Sequence, residues 1–147
     1  MKKKTTLFKE NTYASRIYYI RKMTDIIADI CGVGPDDIRS RTDRVHAHRK
    51  AAYLVAWCVC KSFPAVSYDK VGGYLSRSRC HVYHMVKAVD EWLTFYPEYR
   101  IIVRTAAERA GGRESITLLQ AVADLLSKRR RDMEEERQGK EASHAAR

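Results

Sequence analysis

A basic stretch near the middle of the chain carries the side chains best suited to recognising another molecule. Between Arg77 and Ala88 there are arginine, lysine and histidine side chains but no aspartate or glutamate. Arginine can bind a guanine edge or a phosphate through two parallel hydrogen bonds, and serine or histidine can contact base edges. The segment is therefore typical of a nucleic-acid-binding surface, with an ordinary solvated basic helix as the alternative.

Two helices joined by a tight turn are predicted to position these side chains. The first follows Ser67, a good N-cap, carries Asp69 in its first turn and ends near Leu75. A short polar break, Ser76–Ser78, leads into a second helix over about 78–93. Its apolar positions recur at helical spacing: Val82, Met85, Val86, Val89 and Leu93. This is the pattern of a helix-turn-helix, whose second helix places N-terminal side chains in the major groove.

Composition points to the same kind of partner. The chain has 147 residues, a formal net charge of +10 and a pI near 9.6. Such an excess favours a polyanion, with nucleic acid ahead of an anionic membrane. No apolar run reaches the roughly 18 residues of a membrane span, and no signal-peptide core follows the basic start. We therefore expect a cytoplasmic protein with reduced cysteines and no membrane partner.

Scarce prolines and glycines and little β-type alternation predict an all-α fold. Composition shifts divide the chain into a flexible basic N-terminus (1–13), a helix-turn-helix domain (14–110), an additional amphipathic and charged helix (111–138) and a disordered tail (139–147). Within the domain, the helix that ends near Lys61 is apolar nearly all round, which predicts a central position in the core.

The additional helix has an apolar side that must be buried somewhere. The residues predicted to form that side are Ile116, Leu119, Val122, Ala123 and Leu126. They can pack on the domain or on a second copy of the chain, so a homo-oligomer through residues 114–137 is an open alternative.

A second basic segment lies before the central helix. Residues 39–50 hold five arginines and lysines and two histidines against one acid. So many positive charges repel one another unless an anion is near, which predicts a phosphate or groove contact.

The sequence favours DNA binding over metal or catalytic chemistry. Cys80 and His84 share a helix face at metal-ligand spacing, but Cys31 and Cys58 lie on apolar stripes, and Cys58 and Cys60 point to opposite sides of one helix. No acid is placed to orient a Cys–His pair, and no carboxylate cluster suits two metals. We expect no enzyme activity, no metal and no cofactor.

The order of the predicted elements resembles that of the C-terminal DNA-binding domain (domain IV) of the bacterial replication initiator DnaA. That domain is a Trp-repressor-like helix-turn-helix domain. Residues 27–33 and 37–40 look like that family's opening helix and short second helix, and 67–75 like the first helix of its helix-turn-helix. Arg77, Val82 and His84 match the family signature, commonly Arg-Asp-His-Thr-Thr-Val-x-His. The likeness covers about residues 15–109.

The departures from the family are as informative as the matches. Ser78, Arg79, Cys80 and His81 replace the signature residues that read bases, so the family's DNA site is not expected here. No phosphate-binding loop is present, so nucleotide-driven activity is not expected. A DNA-binding domain of this kind standing alone is typical of a phage, plasmid or conjugative element.

The resemblance implies a recognition helix in the major groove and a basic loop (39–50) on the adjacent groove or phosphates. The expected DNA contacts are Arg41, Arg44, Arg49, Lys50, Lys61, Ser67, Arg77, Ser78, Arg79, His81, His84 and Lys87. The expected function is sequence-specific binding of double-stranded DNA, in replication initiation or transcription control. The alternative is an oligomeric assembly protein with only non-specific nucleic-acid affinity.

Overall fold

Seven α-helices and no β-strand make up the parts of the chain that the structure, a computed structural model, describes: residues 2–40 and 45–145, with side chains from 16 to 40 and from 45 to 143. The predicted all-α class is confirmed. The helices are α1 (Lys2–Cys31), α2 (Pro35–Arg39), α3 (His46–Ser62), α4 (Tyr68–Leu75), α5 (Arg79–Phe95), α6 (Pro97–Ala110) and α7 (Gly112–Ala145). None of these helices is both long and apolar enough to cross a membrane.

Helix α3 lies at the centre of the core, as its sequence predicts. It packs against α1, α2, α4, α5 and α7, and every side chain from Leu54 to Val59 is buried. The polar edge of fully buried Trp57 is satisfied because its Nε1 donates to the Asp90 carboxylate of α5 over 2.7 Å. Helix α5 is therefore fixed to the centre of the domain by a hydrogen bond as well as by apolar contact.

Helix covers most of both terminal segments. The first helix begins at Lys2, within the segment 1–13, and α7 continues to Ala145, within the segment 139–147. The flexibility expected of these two segments stays a prediction. Met1 and residues 146–147 lie outside the described residues. No glycine or proline interrupts α1, and extending an existing helix costs far less than starting one.

The inward face of α7 matches the predicted one in part. Val122 is buried and Leu126 packs against the core, as predicted, and Leu118 is buried as well. Ile116, Leu119 and Ala123 are exposed. The observed set therefore overlaps the expected set and differs from it at three positions. Both sets recur at helical spacing, so the direction depends on the turn at Gly111 and Gly112, which both have positive φ.

The two helices predicted on either side of Ser76–Ser78 form where they were predicted. The Ser67 hydroxyl oxygen accepts a hydrogen bond from the Lys70 amide, and the Ser78 hydroxyl oxygen accepts one from the His81 amide, so both serines are N-caps. Between the helices Ser76 takes the left-handed conformation, with φ 58°. This single residue reverses the chain so that α4 and α5 pack together.

Gly72 allows the close approach of α4 to this turn. Its carbonyl accepts the Arg77 amide over 2.8 Å, and a Cβ at position 72 would collide with the Arg77 carbonyl oxygen and press on Val82. The neighbouring glycine, Gly73, faces open space. A side chain is therefore excluded at position 72 and accommodated at position 73 of the same helix.

We predict that Gly72→Ala lowers the free energy of unfolding by about 1–3 kcal/mol, because the added methyl meets backbone that cannot move away cheaply. Gly73→Ala is the matched control and should raise the same quantity by roughly 0.5–1 kcal/mol through helix propensity. Urea unfolding followed by circular dichroism measures both. Equal effects at the two positions would contradict the packing described here.

Candidate nucleic-acid interface

One face of α5 is buried and the other is solvent-exposed and basic. The five residues of the predicted apolar stripe are all buried. The exposed side chains of the first three turns are Arg79, Cys80, Tyr83, His84 and Lys87. Because the same helix supplies core and surface, the positions of the exposed side chains are set by the packing of the buried ones.

Arg79 lies beside two other predicted contacts. Arg79, Lys61 and Ser67 line one concavity of about 680 Å³ between α3, α4 and α5. The Lys61 Nζ lies 3.8 Å from Asp90 Oδ1 and 5.9 Å from the Trp57 ring centroid, which holds the ammonium group near this concavity. The structure therefore brings together three predicted DNA contacts from three helices.

His81 belongs to an aromatic stack that runs across the domain. Its Nε2 lies 3.5 Å from the Tyr53 hydroxyl of α3, and Tyr53 stacks on Trp92 with centroids 5.4 Å apart. Trp92 in turn stacks on Tyr99 of α6, with centroids 5.0 Å apart. His81 is half-buried, so only part of its ring edge faces outward.

The basic start of α3 lies on the same side as the start of α5. Arg49 is exposed, donates to His46 Nδ1 over 2.8 Å, and precedes Tyr53 by one helical turn. Tyr53 contacts His81, so Arg49 lies one helical turn before the α3 residue that contacts the start of α5. The Lys50 side chain points to α6 instead, with its Nζ 5.5 Å from the Tyr99 ring centroid.

Two further members of the basic segment, Arg41 and Arg44, lie outside the described residues. Of the segment 39–50, Arg39 ends α2 and residues 46–50 begin α3.

Arg77 is inside the domain, which is at odds with its predicted contact to DNA. Only 8% of the residue is exposed. Its Nη1 donates to the carbonyl of Leu75, over 2.5 Å, and to that of Ile38, over 3.3 Å. These carbonyls lie at the C-terminal ends of α4 and α2, where helix carbonyls lack intrahelical partners and carry partial negative charge. The cation therefore ties the helix-turn-helix to α2.

Sequence reasoning did not single out Tyr83. Its side chain is 45% exposed and lies between His84, with ring centroids 5.6 Å apart, and the Lys87 Nζ, 5.6 Å from its ring centroid. The signal was present in the sequence, because Tyr83 lies four residues from both Arg79 and Lys87 and is off the apolar stripe.

Potential metal ligands are dispersed over the described residues, and two of the cysteine thiols are largely buried. Among the residues that the structure describes, no three histidine, cysteine, aspartate or glutamate side chains converge on a possible metal position. Burial raises the pKa of the Cys58 thiol to about 12 and that of the Cys60 thiol to about 11, so both are protonated near neutral pH. Cys80 is exposed.

A scan against protein-family models and searches of curated proteins and of solved structures found no match to this chain.

We predict that Arg77→Met and Arg79→Met, which each remove one positive charge, differ in their effect on the free energy of unfolding. Arg77→Met should lower the free energy of unfolding by about 2–3 kcal/mol, because two helix-end carbonyls lose a charged donor. Arg79→Met should change it by less than about 0.5 kcal/mol. Chemical denaturation gives both values, and a neutral Arg77→Met would show that the buried guanidinium does not hold the turn.

Proposed function

We propose that this protein binds double-stranded DNA sequence-specifically, with α5 in the major groove. The observation that carries the proposal is the two-sided character of α5: one face is buried in the core, and the other presents Arg79, Tyr83, His84 and Lys87 to solvent. A helix held rigidly by its inner face can present its outer side chains to base edges in a fixed register.

The roles within this interface follow from position. Arg79 and the exposed Ser78 lie at the start of α5, where a recognition helix meets base edges. His84 and Lys87 lie one and two turns on and reach phosphate, with Tyr83 packed between them. Lys61 and Ser67 bind backbone phosphate from the concavity that they share with Arg79. Arg77 positions the helix-turn-helix from within and does not contact DNA.

The start of α3 supplies the second contact. Arg49 lies one turn from the Tyr53–His81 contact, so a duplex seated on α5 meets it on the adjacent groove or phosphates. This two-part arrangement is the one implied by the resemblance to the DnaA C-terminal domain, and we propose the Trp-repressor-like architecture for residues 14–110 on that ground. A role in replication initiation or transcription control follows from it.

The experiment that tests this function is selection of bound duplexes from a random DNA pool at two salt concentrations. One enriched motif, with a salt slope corresponding to a few phosphate contacts, is the expected result. Loss of binding at the higher salt with no enriched motif would overturn the sequence-specific function.

Variants of the enriched complex then assign roles. Arg79→Met should weaken binding to the selected motif by roughly ten-fold or more and relax preference at one base pair. Lys87→Met should weaken binding to all sequences and reduce the salt slope by about 1. Arg104→Met, at an exposed position on α6, is the control with the same loss of charge. An Arg79→Met protein with unchanged preference would remove α5 from base readout.

A second candidate, assembly of copies through α7, is favoured by the outward face of that helix. Ile116 is 70% exposed, Leu119 37% and Met133 57%, and Ile116, Leu119, Ala123 and Met133 recur at heptad spacing. The stripe is short and interrupted by Arg130, which places this candidate second.

Sedimentation at several concentrations tests assembly directly. If α7 pairs, the wild-type protein should dimerise and Ile116→Lys combined with Leu119→Lys should be monomeric. Gln120→Lys, exposed beside the stripe, should leave the dimer intact. A wild-type protein that stays monomeric at high concentration would eliminate the assembly function without affecting the DNA-binding proposal.

A further inference from the structure

Tyr83 places an aromatic ring on the exposed, basic side of α5. The other exposed side chains of the first three turns belong to an arginine, a cysteine, a histidine and a lysine. Tyr83 is 45% exposed, so much of its surface faces solvent. Its ring is therefore the largest apolar surface that these three turns offer to a partner.

Neighbouring side chains hold the Tyr83 ring in one position. The Tyr68 ring of α4 meets it at 71°, with the two centroids 6.1 Å apart. Tyr68 is itself partly buried against the core, so α4 supports the ring from one side. On α5 the His84 ring centroid and the Lys87 Nζ each lie 5.6 Å from the Tyr83 ring centroid. A ring held from two helices loses little freedom when a partner binds, which lowers the entropic cost of a specific contact.

The position of Tyr83 along α5 is one that reads bases in the proposed complex. Tyr83 follows Arg79 by four residues, which is one helical turn and about 6 Å along the axis. Base pairs rise by about 3.4 Å each, so a helix lying along the groove carries Tyr83 one or two base pairs beyond the pair that Arg79 contacts. A phosphate cannot use the apolar surface of the ring, whereas His84 and Lys87 can donate to one.

Thymine offers the matching apolar feature. Among the four bases it alone presents a methyl group in the major groove, and an apolar side chain in contact with that methyl distinguishes thymine from the other bases. We propose that Tyr83 is a specificity-determining residue whose ring contacts the 5-methyl group of a thymine, one or two base pairs from the pair contacted by Arg79. The contact rests on the proposed DNA-binding function, and it is made by the ring and not by the hydroxyl group.

The test uses the full chain and the duplex selected above, in which each thymidine is replaced in turn by deoxyuridine. Deoxyuridine keeps the hydrogen-bonding groups of the base and lacks only the methyl. At one thymidine, next to the base pair at which Arg79→Met relaxes preference, the replacement should weaken wild-type binding by about three- to five-fold, as expected for one methyl group left in water. Fluorescence anisotropy titrations measure the two affinities.

Variants of Tyr83 assign this methyl effect to the ring. Tyr83→Phe keeps the ring and should keep the wild-type ratio of the two affinities. Tyr83→Ala removes the ring and should bind the two duplexes within about 1.5-fold of each other, and Tyr83→Gln is the second variant should Tyr83→Ala disturb folding. Tyr18→Ala, at a tyrosine of α1 that is 67% exposed, is the control and should keep the wild-type ratio.

Three results would overturn the contact and leave sequence-specific binding standing. They are a selected motif with no thymine within about three base pairs of the Arg79 pair, no effect of deoxyuridine there, and an unchanged affinity ratio in Tyr83→Ala. Loss of the ratio in Tyr83→Phe would assign the effect to the hydroxyl group and overturn the contact equally. Absence of any enriched motif would instead overturn the proposed function, and the Tyr83 contact with it.

Discussion

The guanidinium of Arg77 is tolerated inside the domain because two helices end beside it. A buried charge is destabilising unless oppositely polarised groups surround it, and the carbonyls of Ile38 and Leu75 supply them from α2 and α4. The close backbone approach at Gly72 fixes where the turn must pass. The direction in which α5 leaves the turn follows from these two contacts, and the exposed row of α5 side chains follows from that direction.

Two side chains of α3 hold α5 in position. Trp57 holds α5 by a hydrogen bond to Asp90, and Tyr53 holds it by contact with His81 and Trp92. A binding surface assembled from three helices keeps its geometry only if the helices cannot slide, and polar and aromatic contacts specify one register where apolar contact alone would allow several. The basic residues at the start of α3 and α5 therefore occupy fixed relative positions before any partner arrives.

Much of this arrangement could be predicted from the sequence, because it depends on local patterns. Apolar spacing located the buried side of α5, and the two serine caps located its start and that of α4. Two features could not be predicted from such patterns. Arg77 is buried because α2 ends beside it, 39 residues earlier at Ile38. The inward face of α7 depends on the conformation of the glycine turn before it, which helical spacing leaves open. The exposure of Tyr83, by contrast, could have been predicted from its position off the apolar stripe of α5. Judged by charge alone, Arg77 and Arg79 would both lie on the surface. Their different burial is a result of packing.

Helix α7 is one continuous backbone with two very different surroundings. Up to Arg129, whose Nη1 donates to the Thr94 carbonyl over 2.8 Å, the helix is attached to the domain. From residue 130 to 143 every side chain is exposed, and the structure gives this part only local ion pairs such as Arg137 with Glu141. An isolated helix of that length is marginal in water. Its amide hydrogens exchange by local fraying, while those near Leu118 exchange only when the core opens. The two halves of α7 thus belong to different cooperative units, and the outer half can melt and reform without any cost to the rest of the domain.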